Sequence, residues 1–518
     1  MHDLTHYLEQ TFGYSTFREG QRTIIEDVLR GDDVLGILPT GTGKSLCYQL
    51  PAQIQEGITV VVSPLISLMI DQVKQLKSQG YKSVIALNSF MDREQRMNAM
   101  KNVTRYKLIY VSPEMLQNDW LIERLQQATV DLFVIDEAHC ISQWGHEFRT
   151  DYLKLHRVIH QLGDPTVLAL SATATPEVQE DIKEKLNRPE MKQLIYPMDK
   201  PNISFAVRHV SSPGEKVKQI KQVIAKNDAP TMIYFSSRQW AERVAAELQQ
   251  IGTRRVAFYH GGMEQTDRML VQQQFMNDQL DVICCTSAFG MGVDKKNIRL
   301  VIHYHFPAQL ESFIQEVGRA GRDGHPCVSL VLHTAKDHLL PQMLIESEVP
   351  EKADVNHILS HINGYRSSNE PLPEDELVRE RLRLSESQWN FIKYQLEERG
   401  VIDGREVINK PDHPHVVRDI IQVVQERWHY KQSKLKEMID WIHHTECRRE
   451  ALYRPFQDEV RTPIVACCDA CSFDIDALEL STQKKKSSTR TWEERLALVF
   501  GRGGNHETSS RNHPTNER

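Results

Sequence analysis

The sequence predicts an α/β protein: two tandem units built on parallel sheets, then a small domain of three helices and a hairpin, then a helical segment leading into a cysteine cluster. Three observations carry this expectation. Short apolar runs alternate with amphipathic stretches from about residue 30 to residue 332. The runs are continuously apolar rather than alternating, as strands covered on both faces by helical crossovers must be. The periodicity breaks near Pro197, Pro201 and Asn202, which divides the runs into two series.

The first series comprises 34–38, 59–62, 84–87, 108–111, 132–135 and 167–170; the second comprises 232–235, 256–259, 282–285, 301–304 and 329–332. The expected units are 1–205 and 206–348. Residues 349–412 have a different texture. Helices are expected at 356–365 and 374–384. Ser385 and Gln388 form a capping-box pair for a third, on which Trp389, Ile392 and Leu396 share a face before Gly400 caps its end. Asp403-Gly404 between Val401-Ile402 and Val407-Ile408 is a hairpin signal. Three helices and a hairpin form the layout of a winged helix; a plain helical linker with a surface hairpin is the alternative. In 413–475, Leu435, Met438, Ile439 and Ile442 mark an amphipathic helix that runs into the cysteines. Residues 476–518 are polar and are expected to be disordered, with Trp492, Leu496 and Phe500 on one side of a short helix that recruits a repair or replication protein.

Composition excludes several classes. At 518 residues the chain is too long for one core, and three or four domains are expected at roughly 100–200 residues each. Forty per cent hydrophobic and 26% charged residues describe a globular chain rather than a fibrous or wholly disordered one. No run of about 18 apolar residues offers a membrane span, and the start, Met1-His2-Asp3-Leu4, lacks the order of a signal peptide. Nine cysteines, five of them isolated or in hydrophobic strands, suit a reducing cytoplasm better than a disulfide framework. A net charge of −7 argues against a wholly basic nucleic-acid binder and leaves a local basic channel open.

The chemistry concentrates at the ends of the apolar runs. Pro39-Thr40-Gly41-Thr42-Gly43-Lys44-Ser45 follows the first run. Gly41 and Gly43 allow backbone N–H groups, with Thr42 between them, to close around phosphate oxygens; Lys44 reaches the β- and γ-phosphates and Ser45 ligates Mg²⁺. The strict pattern asks for glycine at 38, where this chain has leucine. Asp136-Glu137-Ala138-His139 supplies the second half of such a site. Asp136 would hold Mg²⁺ and Glu137 would orient or deprotonate the attacking water. The second unit carries Arg319 and Arg322 within 315–324 instead of a phosphate loop. Three apart on a helix they would share a face and could meet the γ-phosphate as arginine fingers, worth about 10³–10⁵ in rate; a surface ion-pair cluster is the bland alternative.

Together these stretches resemble a superfamily 2 helicase, and specifically the RecQ family of DNA helicases. The resemblance runs through Phe12-Gly13-Tyr14, Phe17-Arg18-Glu19-Gly20-Gln21, Leu46-Cys47-Tyr48-Gln49-Leu50-Pro51, Ser63-Pro64-Leu65-Ile66-Ser67-Leu68-Met69, 136–149, Ser171-Ala172-Thr173, 288–294 and 315–324. It implies two RecA-like lobes. It also implies that Tyr14 and Arg18 sandwich adenine, that Gln21 reads its edge, and that Asp294 contacts the nucleotide from the second lobe. Ser171 and Thr173 would couple ATP state to closure.

The segment after the carboxylates, with Trp144, Phe148 and Arg149, suits a stacking platform for unpaired bases, about 1–3 kcal/mol per base; core packing is the alternative. Ser63, Ser236, Arg238 and Thr286 are expected to join it on the DNA. Cys447, Cys467, Cys468 and Cys471 resemble the family's zinc-binding module. Four thiolates fit a closed tetrahedral structural site. The family's middle cysteine would fall at Val465, so either a loop distortion brings Cys467 in or a non-cysteine ligand completes the site. The family's usual winged helix follows its zinc module, whereas here the candidate precedes it. The expectation is an ATP-, Mg²⁺- and Zn²⁺-dependent helicase that moves on single-stranded DNA, 3′→5′ by resemblance. It would separate duplex DNA in recombination, repair or fork processing, in the cytoplasm on chromosomal DNA and with no membrane partner. An RNA helicase and an ATP-gated DNA clamp are the rivals.

Overall fold

The computed structural model describes residues 3–480, apart from 89–90, 143, 145–148, 291–294, 369, 472 and 478–479. The expected tail helix near Trp492 lies outside the described residues, as do Phe148 and Asp294.

The first lobe is a seven-stranded sheet: β1 (Val34–Ile37), β2 (Ile58–Val62), β3 (Val84–Leu87), β4 (Leu108–Val111), β5 (Val130–Asp136), β6 (Thr166–Ser171) and β7 (Lys192–Ile195). Their order is β3-β4-β2-β5-β6-β1-β7, with every pairing parallel. Helices cover both faces, so the inner strands are buried along their length, which is why their sequences read as unbroken apolar runs. Strand β7 was not expected. It is a half-exposed edge strand and carries no apolar run. Gly36 in β1 is required by packing: a Cβ there would stand 2.9 Å from Leu170 and 3.0 Å from Ile24, so glycine lets the helix Gln21–Arg30 settle onto the sheet.

The second lobe has six parallel strands: β8 (Ile203–His209), β9 (Thr231–Tyr234), β10 (Val256–Tyr259), β11 (Val282–Cys285), β12 (Leu300–His303) and β13 (Cys327–His333), in the order β10-β11-β9-β12-β13-β8. The division expected at 205/206 falls inside β8. That strand pairs along its whole length with β13, and the chain crosses between the sheets over residues 196–202. The Pro-Asn break thus marks the crossing, and the strand begins immediately after it.

Residues 349–412 form the helices Lys352–Ser368, Asp375–Leu382 and Glu386–Glu398, then the antiparallel pair β14 (Ile402–Asp403) and β15 (Glu406–Val407). The capping box at Ser385 and Gln388 is present in both directions. The hairpin turn is Gly404-Arg405 rather than Asp403-Gly404, because Asp403 pairs with Glu406 and the positive φ of 57° falls on Gly404. Trp389, Ile358, Leu396 and Ile402 share one core, which Ile420 and Val424 close from the next helix.

That helix, Pro414–Ile442, has 29 residues and extends about 43 Å at 1.5 Å per residue. Its second half packs Leu435, Met438 and Trp441 into the core of the lobes, with Trp441 4.6 Å from the Phe313 ring. A boundary at 412/413 therefore precedes an element that serves both domains. The third helix of the small domain docks on the first lobe through Lys154 to Glu397 at 2.9 Å and Arg157 to Glu398 at 3.3 Å. No helix among the described residues is long and apolar enough to cross a membrane.

Trp389 is fully buried. Trp389→Ala should cost this domain about 3–5 kcal/mol, read as lost amide-exchange protection across 355–424 while the β2 and β5 amides keep theirs.

Candidate active site

Strands β1, β5 and β6 are neighbours, so the loops at their carboxyl ends converge. The loop after β1 closes with φ of 88° at Gly41 and 79° at Gly43, a conformation that needs glycine at both. Leu38 is not in such a conformation. It is buried beneath the loop, and its side chain lies 2.7 Å from where a Cβ on Gly20 would stand, so the departure from the strict pattern fills a hydrophobic space. Gln21 donates to the carbonyls of Thr42 at 2.8 Å and Gly43 at 3.1 Å, and Arg18 donates to Gly41 at 2.6 Å. Both residues expected at adenine thus also brace the phosphate loop. Tyr14 is half exposed at the mouth of the same cavity.

Asp136 ends β5, and Glu137 follows in the left-handed region at φ 51°, a strained position for a side-chain-bearing residue. Its carboxylate lies 3.8 Å from Lys44 Nζ and 3.5 Å from His139 Nδ1. His139 Nδ1 is 3.0 Å from Ser171 Oγ, which donates to the carbonyl of Thr173. Burial, with the Glu137 carboxylate beside it, pushes the Asp136 carboxyl up to about 6. Two crowded, desolvated carboxyls facing a serine hydroxyl across one cavity form a donor set that fits a hard divalent cation.

The second lobe completes this cavity of about 270 Å³ with Gln315, Arg319 and Arg322. The arginines do not lie on a helix, as expected, but on the turn that follows the helix Leu310–Val317. Gly321, at φ 55°, breaks the helical path, and Asn202 approaches so closely that only glycine fits there. Arg319 is buried and donates to the carbonyl of Gly290. The Arg322 stem lies 2.9 Å from where a Cβ on Gly41 would be, so it rests directly against the phosphate loop. Sequence reasoning missed Gln49, which donates to Gln72 and Tyr110, and Lys296, both on the lining, and Lys200, which lies outside it and donates to the carbonyls of Gly318 and Ala320. Gln49 and Lys296 stand within or beside motifs already read for other residues; Lys200 sits in what reads as a linker.

The DNA candidates separate. Ser236 and Thr286 lie half-buried just past the carboxyl ends of β9 and β11, and Arg238 is exposed beside them. Ser63 is buried and does not reach a surface, because its N–H continues the β2 ladder to Val111 and its side chain faces the protein. Arg149 donates to the carbonyl of Pro64 at 3.2 Å. Trp144 is half-buried, and its ring lies 5.0 Å from that of Tyr430 on the helix Pro414–Ile442.

The four cysteine sulfurs lie within 4.8 Å of one another, with Cys447 and Cys467 3.6 Å apart. A tetrahedron with Zn–S bonds near 2.3 Å has edges of about 3.8 Å, so the set fits zinc. Cys467 joins it because Cys468 bridges to Phe205 and the chain turns at once into Asp469–Cys471, which lets adjacent side chains converge. The expected loop distortion is this turn.

Residues 18–182 match the family described as DEAD/DEAH box helicase, 215–324 the helicase conserved C-terminal domain, and 411–472 the RecQ zinc-binding family. The probable ATP-dependent DNA helicase RecS of Bacillus subtilis is 38% identical over 504 residues, 96% of this chain and 98% of that relative. The ATP-dependent DNA helicase RecQ of Haemophilus influenzae is 40% identical over 365 residues, 70% of this chain, which spans 58% of that relative. The solved Mycobacterium smegmatis helicase Lhr, bound to ssDNA and AMP-PNP, superimposes with a TM-score of 0.57 at 20% identity, covering 82% of this chain and 62% of that one.

Two outcomes follow from the geometry. Gly41→Ala combines a left-handed backbone with a clash against Arg322, and strain of about 1–3 kcal/mol should weaken nucleotide binding about 5–150-fold in a fluorescent-nucleotide titration. Purified chain should carry about one zinc by elemental analysis, and Cys467→Ser should lose most of it.

Proposed function

The chain belongs to the RecQ family of ATP-dependent DNA helicases, and from that premise we propose that it moves 3′→5′ along single-stranded DNA and separates duplexes during recombination, repair or fork processing. The observation that supports this most directly is the single cavity into which Lys44, Asp136 and Glu137 reach from one lobe and Arg319 and Arg322 from the other. A nucleotide seated there touches both lobes, so its hydrolysis can open and close them.

In this reading the backbone of Gly41, Thr42 and Gly43 cradles the phosphates and Lys44 neutralises the β/γ oxygens. Ser45 and Asp136 would hold a magnesium ion, which when bound spreads the developing charge over the bridging oxygens. Glu137, held near Lys44 and His139, positions and deprotonates the attacking water. Arg319 and Arg322 stabilise charge on the γ-phosphoryl group. Tyr14, Arg18 and Gln21 accept the base, and Asp294 contacts the nucleotide. His139 and Ser171 carry closure to the segment between the lobes. Trp144, Phe148 and Arg149, with Ser236, Arg238 and Thr286, engage the strand. Only a few residues separate Trp144 from Glu137, so a stacked base can bias the catalytic pair. Each step works against base stacking of about 1.4 kcal/mol. The four thiolates would hold a structural zinc that pins 447–471 together, and 476–518 would recruit a repair or replication protein at chromosomal DNA in the cytoplasm.

The test is ATP-dependent strand displacement on matched duplexes with a 3′ DNA tail, a 5′ DNA tail or an RNA tail, with Glu137→Gln as the hydrolysis-deficient control. Displacement confined to the 3′ DNA tail is the expected result. DNA-stimulated ATP hydrolysis with no displacement on any substrate would replace this reading with an ATP-gated clamp, and preference for the RNA tail would replace it with an RNA helicase.

A further inference from the structure

We propose that Lys200, in the segment between the two sheets, is a positioning residue that holds the turn bearing Arg319 and Arg322 against the phosphate loop, and that the cysteine-bearing module sets its place. The inference rests on the ATP-hydrolysis reading above. Lys200 Nζ donates to the carbonyls of Gly318 and Ala320, which flank Arg319 on either side. Two residues on, Asn202 Nδ2 donates to Gly321 at 2.9 Å and to His325 at 2.8 Å. Four carbonyls of the turn 318–325 are therefore gripped by two side chains of one short segment. A turn that has left its helix has lost the intrahelical partners of those carbonyls, and here the partners come from the crossing between the lobes.

The crossing is itself held by the cysteine module. Arg449, two residues from Cys447 and fully buried, donates to the carbonyls of Lys200 and Ile203 on either side of the Pro201-Asn202 pair. Asp199, buried, accepts from Gln457 Nε2 at 3.1 Å and from the Arg461 N–H at 2.8 Å. The side-chain Oε1 of Gln457 accepts from the Met198 N–H at 2.8 Å, and Ile464 N–H donates to the carbonyl of Pro201. The backbone carrying Lys200 is thus fixed from both sides before its side chain reaches the arginine turn.

Electrostatics agree with the geometry. Burial, with Arg322, Arg319 and Arg18 all near, pushes the Lys200 ammonium down to about 7. Lys200 bonds to the carbonyls of Gly318 and Ala320 and so brings no carboxylate of its own to the arginine turn. A polyphosphate in the cavity would relieve the crowding, so occupancy and the grip on the turn reinforce each other.

A lysine that only caps carbonyls would contribute to stability alone, and the experiment separates the two roles. Steady-state ATP hydrolysis with single-stranded DNA is measured on the full chain for wild type, Lys200→Met, Lys200→Arg, Arg322→Ala and the Lys200→Met/Arg322→Ala double variant, with melting temperature and zinc content recorded for each. Positioning lowers kcat about 10–100-fold in Lys200→Met with KM for ATP within about threefold, restores most of it in Lys200→Arg, and costs less than about threefold in the Arg322→Ala background. Gln457→Ala, at the far end of the chain of contacts, should lower kcat about three- to tenfold with KM unmoved and should likewise add little to Arg322→Ala. A Lys200→Met kcat within twofold of wild type, equal losses in both backgrounds, or a loss that follows melting temperature without rescue by arginine would overturn the role of Lys200. An unchanged Gln457→Ala would overturn the role of the cysteine module. A wild-type chain that hydrolyses no ATP would instead overturn the functional reading on which the inference stands.

Discussion

Three cations held by backbone carbonyls, Arg18, Arg319 and Lys200, are the feature on which the rest of the arrangement depends. Arg18 bonds to Gly41 and Arg319 to Gly290 on the lining of one cavity, and Lys200, outside that lining, bonds to Gly318, all through neutral acceptors. Ion pairs would satisfy the same side chains and cancel the field. Carbonyls satisfy the hydrogen bonds and leave the positive charge in a low-dielectric space, where it acts most strongly on a polyanion. Among the described lining residues the carboxylates are Asp136 and Glu137, which come from the first lobe with Lys44. The glycines follow from this constraint, because a carbonyl can be offered to a guanidinium only where the backbone comes close. Gly41 and Gly290 have no Cβ at the points where Arg322 and Arg319 pass.

The accessory region bears on that cavity indirectly. The helix Pro414–Ile442 closes the small domain with Ile420 and Val424, meets Trp144 through Tyr430, and then enters the core of the lobes through Trp441. One helix therefore touches the small domain, the segment after Asp136 and Glu137 and the second lobe. Lys434 ties it further to Glu311, on the helix that leads into the arginine turn, at 3.2 Å. The cysteine module follows immediately and holds the crossing between the lobes. Position in the chain thus becomes position around the cavity shared by the two lobes, without any of these residues lining it.

Much of this was legible in the amino-acid order because burial on both faces leaves a one-dimensional trace. The inner strands of both sheets, the glycines of the phosphate loop, Asp136 and Glu137 at a strand end and the capping box at Ser385 all follow from local rules of periodicity and backbone conformation. What failed locally failed for physical reasons. Strand β7 is an exposed edge and carries no apolar signature, and β8 starts hard against a Pro-Asn break. The hairpin turn slipped by one residue because Asp403 is as good a turn residue as a strand end. The two arginines were expected on a helix because three-residue spacing is helical; Gly318 and Gly321 end the helix first.

The sequence by itself therefore determined which chemistry is present: a phosphate loop, a carboxylate pair, two arginines and four thiols, each recognisable because its residues are neighbours in the chain. Only the tertiary structure decided what those groups meet. Ser63 turned inward although its motif is intact, Trp144 found Tyr430 nearly 300 positions away, and Cys467 joined its three partners through a turn. Lys200 had no motif at all, because its partners are backbone carbonyls on a turn more than 100 residues further on. A carbonyl is the same in every residue, so contacts made to backbone leave no mark on the sequence of the partner, and only folding shows where they are.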